Sequence, residues 1–128
     1  MNLIGIGVDL VYIPRIQKLV DQYGSRFLKK IFSDEEIEYS LKRKNSFFHL
    51  ASSFASKEAF FKAMGGYTPF SFKEIILKRN PYTKVPFLEL TGKAKEIFQK
   101  RGGEKIFLAL SHENEYTISI VIILGNLK

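Results

Sequence analysis

Apolar residues follow two different periods along this chain. Positions 3–13 form an apolar, β-branched run with one charge, Asp9, a pattern that predicts a strand. Pro14 suits the first turn of a helix and Gly24 its end. Ser25 offers a cap for a short continuation through 31. Ser33-Asp34-Glu35-Glu36 has capping-box spacing and predicts a helix to about 44. Asn45 can cap the longest helix, which ends at Gly65-Gly66. Leu50, Phe54 and Phe61, with alanines between them, give that helix a stripe able to pack a core.

The second half changes period. Positions 72–78 and 87–90 predict strands joined by a turn around Asn80-Pro81-Tyr82-Thr83. Thr91 can cap a helix over 93–101, closed by Gly102-Gly103. Positions 105–110 and 117–124 are strong β-runs joined across 112–115 as a hairpin. Helices mostly first and strands mostly last predict an α+β fold, with helices on one side of an antiparallel sheet.

Composition narrows the class. A length of 128 residues predicts a single domain over 1–128, able to bury roughly 65–70% of its unfolded surface without staples. The chain is 45% hydrophobic and 26% charged, as in soluble globular proteins. It has no cysteine, so it holds no disulfide or thiolate; this suits a reducing cytoplasm. No basic segment precedes a long apolar run, so no signal peptide is expected. No stretch approaches the roughly 20 apolar residues of a membrane span. The formal charge of +7 attracts anions. Arg15, Lys18, Arg26, Lys29 and Lys30 face only Asp21 within 15–30; charge alone leaves this a solvated face or a docking surface.

Few residues are equipped for chemistry. Gly5-Ile6-Gly7 lacks the third glycine and the helix of a dinucleotide fingerprint. Its glycines suit a bulge or the close approach of another backbone. Asp9, inside an apolar strand, is either a strand-end carboxylate facing water or a cation ligand, since an unpaired buried carboxylate is costly. Glu58 and Lys62, four apart on a helix, are either a surface ion pair or site residues. Ser111-His112-Glu113 cannot act as a triad, because successive strand residues point to opposite faces. His112 either contacts a phosphate or fills a turn, and His49 is expected to do no chemistry. Two distant histidines without cysteine do not make a zinc site. An aspartate and a glutamate suit magnesium, with phosphates and waters completing the octahedron.

Several short motifs recur in one order along nearly the whole chain. They are Gly5-Ile6-Gly7-Val8-Asp9 with Pro14-Arg15-Ile16; Arg26-Phe27 and Ile31-Phe32-Ser33; Phe54-Ala55-Ser56-Lys57-Glu58-Ala59 with Lys62-Ala63 and Gly65; and Leu110-Ser111-His112 with Tyr116. In this order and spacing they resemble the holo-[acyl-carrier-protein] synthases, the small 4'-phosphopantetheinyl transferases. The resemblance implies that family's α+β fold and its reaction. Coenzyme A gives 4'-phosphopantetheine to a serine of apo acyl carrier protein, in fatty acid biosynthesis, and adenosine 3',5'-bisphosphate leaves. By resemblance Asp9 and Glu58 hold magnesium, Lys62 lies beside the phosphates, and Glu58 accepts the serine proton directly or through a water. Coenzyme A contacts fall on Lys57, Lys62, Gly65, Lys84, Pro86 and His112. Arg15, Arg26, Phe27 and Lys30 form the surface for the acidic carrier helix. The resemblance further implies a cytoplasmic homotrimer with interfacial sites, so that Asp9 and Glu58 could come from different chains.

Two departures stand out. Ser53 replaces a frequent arginine, so a phosphate or carrier contact is lost or supplied by Lys42, Arg43 or Lys44. Thr83-Lys84-Val85-Pro86 replaces a Gly-Lys-Pro turn. The competing reading is a non-enzymatic nucleic-acid binder. It accounts for the charge, the 12 phenylalanines and the 6 tyrosines, but not for an acidic residue in each site segment. The expected partners therefore include neither nucleic acid nor membrane.

Overall fold

The structure, a computed structural model, describes residues 1–66 and 68–127. Strand β1 (Asn2–Tyr12) leads into α1 (Ile13–Tyr23), α2 (Ser25–Ile31), α3 (Asp34–Leu41) and the long α4 (Ser46–Ala63). A 3-10 turn, Phe72–Glu74, opens β2 (Ile75–Arg79). Then follow β3 (Pro86–Leu90), α5 (Gly92–Lys100), β4 (Gly103–Glu113) and β5 (Tyr116–Gly125). The strands form two antiparallel sheets, β1-β5-β4 and β2-β3. The expected α+β class holds. No helix among the described residues is long and apolar enough to cross a membrane.

Alternation along β1 decides where α4 sits. From Gly5 to Val11 its odd positions turn inward and its even positions outward. At Gly5 an added Cβ would lie 1.8 Å from the Ala63 carbonyl oxygen, and at Gly7 1.9 Å from that of Ala59. Only glycine lets the α4 backbone rest on the strand there. The register also shifts between Leu3 and Gly5, so both roles expected of these glycines are present.

Helix α4 separates two apolar clusters. Phe60, Ile75, Leu77, Leu88, Phe98, Val121 and Ile123 pack on one side of it. Val11, Ile16, Leu28, Phe32, Leu50 and Ala55 pack on the other. It is therefore buried around most of its circumference, including at Ser52, Ser53, Ser56 and Lys57, rather than along one stripe.

Local chemistry accounts for the remaining differences from expectation. The Ser33 hydroxyl accepts the Glu36 N–H, and the Glu36 carboxylate accepts the Ser33 N–H at 3.0 Å, as a capping box requires. Ser25 is not a cap: Gly24 takes the N-cap position and Ser25 is already helical. Asn45 and Thr91 occupy N-cap positions without a side-chain cap bond. Phe72–Glu74 winds as a 3-10 turn because Ser71 and Glu74 form a second capping box. The final hairpin turns on Asn114 and Glu115, with Asn114 left-handed at φ 52°. His112 is thus a strand residue rather than a loop residue.

The contacts at Gly5 and Gly7 generate a prediction. Gly7→Val should destabilise the protein by about 3 kcal/mol or more, because backbone rather than a flexible side chain fills the space. Urea unfolding monitored by circular dichroism checks it, and a stability equal to wild type would mean that α4 does not rest on β1.

Candidate active site

The approach of α4 to β1 brings a strand carboxylate and a helix carboxylate together. Asp9 follows Gly5 and Gly7 on the inward face, and its side chain is 14% exposed. The Lys62 ammonium reaches across from α4, donating to an Asp9 carboxylate oxygen at 3.0 Å and to the Val8 carbonyl at 3.1 Å. Glu58 lies one turn before Lys62 on the same helix. Burial, and secondarily the Asp9 charge, raise the Glu58 pKa above the ordinary glutamate value; Lys62 and Arg15 oppose the rise. The two carboxylates thus feel each other within one chain, which corrects the expectation that they could come from different chains. Arg15, on α1, is also close enough to act on Glu58.

A line of buried hydroxyls lies between α4 and β5. Ser52 and Thr117 share a hydrogen bond at 3.1 Å, the Ser119 hydroxyl donates to Ser56 at 3.1 Å, and Ser56 donates to the Ser52 carbonyl at 2.8 Å. Ser119 pairs with Asp9, and Thr117 with His112. The seam therefore fixes the strands that carry both. The sequence held its signal: Thr117 and Ser119 are polar at period two within a β-run, on the buried face.

His112 shares that inward face, at its exposed end, and its ring stands edge-on to Phe48 with centroids 4.6 Å apart. Ser111 points to the opposite face, as alternation requires. Phe48 also meets His49, which packs edge-on to Tyr39. Burial, then Arg79 and Arg43, lower the His49 pKa to about 4, so it stays neutral, in keeping with no chemical role.

Other candidates lie elsewhere. Lys57 requires correction. It is wholly buried, pairs with Glu36 at 2.7 Å, and donates to the Phe72 carbonyl at 2.8 Å and to the Ile75 carbonyl. With all three protons committed inside the protein, it cannot meet coenzyme A. Burial lowers its pKa and Glu36 raises it. Ser53 is likewise buried, donating to Glu36, so in this chain position 53 offers no surface contact. Gly65 lies beyond α4 beside a depression of about 330 Å³ shared with Arg101, whose guanidinium donates to the Met64 carbonyl.

Lys84 belongs to the β2–β3 turn and Pro86 opens β3, neither of them on the elements that carry the carboxylate pair, β1 and α4. Asn80 organises the turn by accepting the N–H groups of Tyr82 and Thr83. Lys84 is left-handed there at φ 66°, a conformation that costs glycine nothing. Arg26, Phe27 and Lys30 line one groove of about 270 Å³ with Leu19 and Tyr23.

Among the described residues no group of three or more histidine, cysteine or acidic side chains could hold a metal. Asp9 and Glu58 alone offer two hard carboxylates, a set that fits magnesium when phosphate and water supply the other ligands.

The chain is similar to known proteins over most of its length. Residues 5–121 match the family described as 4'-phosphopantetheinyl transferase superfamily. The holo-[acyl-carrier-protein] synthase of Syntrophus aciditrophicus is 41% identical over 123 residues, covering 94% of this chain and 95% of that protein. The crystal structure of the synthase from Neisseria meningitidis superposes with a TM-score of 0.88 at 28% identity, covering 97% of this chain and 100% of that one. A Chronobacterium ammoniagenes synthase solved as a coenzyme A complex gives 0.84 at 28% identity, over 98% and 99% of the two chains.

The raised Glu58 pKa has a measurable consequence. A carboxyl whose pKa rises on folding lends stability that is complete below its unfolded value and is lost as pH rises through the folded one. Without divalent cation, Glu58→Gln should melt higher than wild type at about pH 8, and the gap should close by about pH 4. Thermal melts across that range test this. Superimposable curves would remove the burial penalty assigned to Glu58.

Proposed function

The chain belongs to the 4'-phosphopantetheinyl transferase superfamily, and from that membership we propose that it is a holo-[acyl-carrier-protein] synthase. It transfers 4'-phosphopantetheine from coenzyme A to a serine of apo acyl carrier protein, the step that readies the carrier for fatty acid biosynthesis. The observation that carries this reading is the joining of Asp9, Glu58 and Lys62 where α4 meets β1. Neither carboxylate would favour a phosphate without a cation, whereas the pair with Lys62 can hold both.

In the reaction the serine oxygen attacks the phosphorus bonded to pantetheine. The bond from that phosphorus to the bridging pyrophosphate oxygen breaks, and adenosine 3',5'-bisphosphate leaves. Phosphoryl transfer needs chiefly position and charge neutralisation. Asp9 and Glu58 would hold magnesium, which would supply charge neutralisation at the pyrophosphate. Lys62 exchanges its Asp9 contact for the departing phosphate oxygens. Glu58 takes the serine proton, directly or through a water. His112 stands at the open end of the inward face for the nucleotide phosphates.

The groove of Leu19, Tyr23, Arg26, Phe27 and Lys30 has an apolar floor and a basic rim. That combination suits an acidic amphipathic helix, with charge steering the encounter. Arg15 shares α1 with Leu19 and Tyr23 and acts on Glu58, which supports a place for it beside the incoming serine.

The outward face of β1-β5-β4 supports self-association. Ile6, Leu10, Phe107 and Ile120 are exposed there, with Ile6 61% and Leu10 60% accessible. Continuous apolar surface of this kind marks an interface. Its occupant is a second and third copy of this chain, the number the family resemblance implies, in the cytoplasm.

Two experiments test these statements. Incubation with apo carrier, coenzyme A and magnesium should add about 340 Da to the carrier by mass spectrometry, and chelator should prevent the gain. No gain with several carriers would refute the transferase. Ile120→Asp should sediment as a monomer with unchanged circular dichroism, whereas an unchanged assembly would refute the interface.

A further inference from the structure

The strongest polar feature outside the carboxylate site is the buried cluster around Glu36. One Glu36 carboxylate oxygen accepts the Ser33 N–H at 3.0 Å, the Ser33 hydroxyl at 3.2 Å and the Lys57 ammonium at 2.7 Å. The other accepts the Ser53 hydroxyl, and the Leu77 N–H at 2.9 Å. Lys57 spends its two remaining protons on the Phe72 and Ile75 carbonyls. Two successive turns of α4, at Ser53 and Lys57, are thereby pinned to α3, to the 3-10 turn and to β2. The ion pair is fully desolvated, with Glu36 3% and Lys57 0% exposed.

We propose that Glu36 and Lys57 are positioning residues that set the rotation of α4 and so aim Glu58 at Asp9. The assignment rests on the transferase reading only for its effect on turnover; its effect on cation binding stands alone. Toward β1 the helix meets glycine, which fixes how close it lies but resists rotation weakly, and its larger apolar residues, Leu50 and Phe60, sit in clusters whose contacts are not directional. Hydrogen bonds are directional, and those around Lys57 come from three different elements. Lys57 immediately precedes Glu58 in α4. Carboxylates lie about 5–6 Å from a helix axis, so 10° of rotation moves Glu58 by about 1 Å. A displacement of that size costs up to about a hundredfold in a positioned reaction. Burying an ion pair where apolar residues would pack as stably is consistent with a role in specifying geometry.

The test uses the full chain and manganese as the probe, followed by the paramagnetic signal of the free ion without substrate. Glu36→Gln keeps the shape but sets an amide against the Leu77 N–H; it should weaken manganese binding about tenfold. Ser53→Ala, which removes a single hydrogen bond, should weaken it about threefold. In transfer assays both should lower kcat and raise the magnesium needed for half-maximal rate, while the KM for carrier stays within about twofold of wild type. Melting curves confirm that each variant is folded at the assay temperature. Folded variants that bind manganese as wild type does would overturn the proposal, and if Glu36→Gln does not fold, Ser53→Ala decides alone. A wild-type protein that modifies no carrier, with variants that still lose manganese, would sink the transferase reading and leave the positioning role standing.

Discussion

Everything in this molecule depends on how closely one helix backbone can lie on one strand. Side chains at positions 5 and 7 would hold α4 off the sheet by the thickness of a methyl group or more. With glycine there, the next inward residue, Asp9, comes within reach of Lys62 and into the field of Glu58. The same contact makes α4 the wall between the two apolar clusters. Its surroundings are therefore protein nearly all round, which is why its polar residues need internal partners. Ser52 and Ser56 meet the hydroxyls of β5, and Ser53 and Lys57 meet Glu36.

Charge is distributed to suit this arrangement. Helices α1 and α2 carry five basic residues against one acidic, whereas the carboxylates that matter sit where α4 crosses β1. Inside the site the balance is close: Asp9 and burial push Glu58 toward its neutral form, Lys62 and Arg15 toward its ionised one. A divalent ion would tip that balance fully.

Much of this was legible in the sequence because it is local. The capping box at Ser33, the Pro14 helix start, the hairpin after position 110 and the purpose of Gly5 and Gly7 all follow from residues a few positions apart. Asp9, Glu58 and Lys62 could be singled out because charges in apolar segments need partners. The role of Lys57 was not legible. It sits in the same motif as Glu58, and only the fold shows that adjacent helix residues face opposite surroundings, 100° apart. Glu36 announced itself as a capping residue, and nothing local signals that its carboxylate also serves Lys57, Ser53 and Leu77 across 21, 17 and 41 positions. The pairing of β1 with β5 was equally hidden, since it joins opposite ends of the chain.

That last pairing bears on how the protein is made. On the ribosome β1 is made well before β5, its hydrogen-bonded neighbour among the described residues, with Asn2 opposite Gly125. Until then a strand carrying Ile4, Ile6, Val8 and Leu10 has an open edge, and Asp9 lacks Ser119 beside it. Helices α1 to α4 can wind as they appear. The chemistry cannot assemble piecemeal: a nascent chain gains its site only once β5 has been made, and a chain cut short within β5 leaves α4 without the sheet it was shaped to cover.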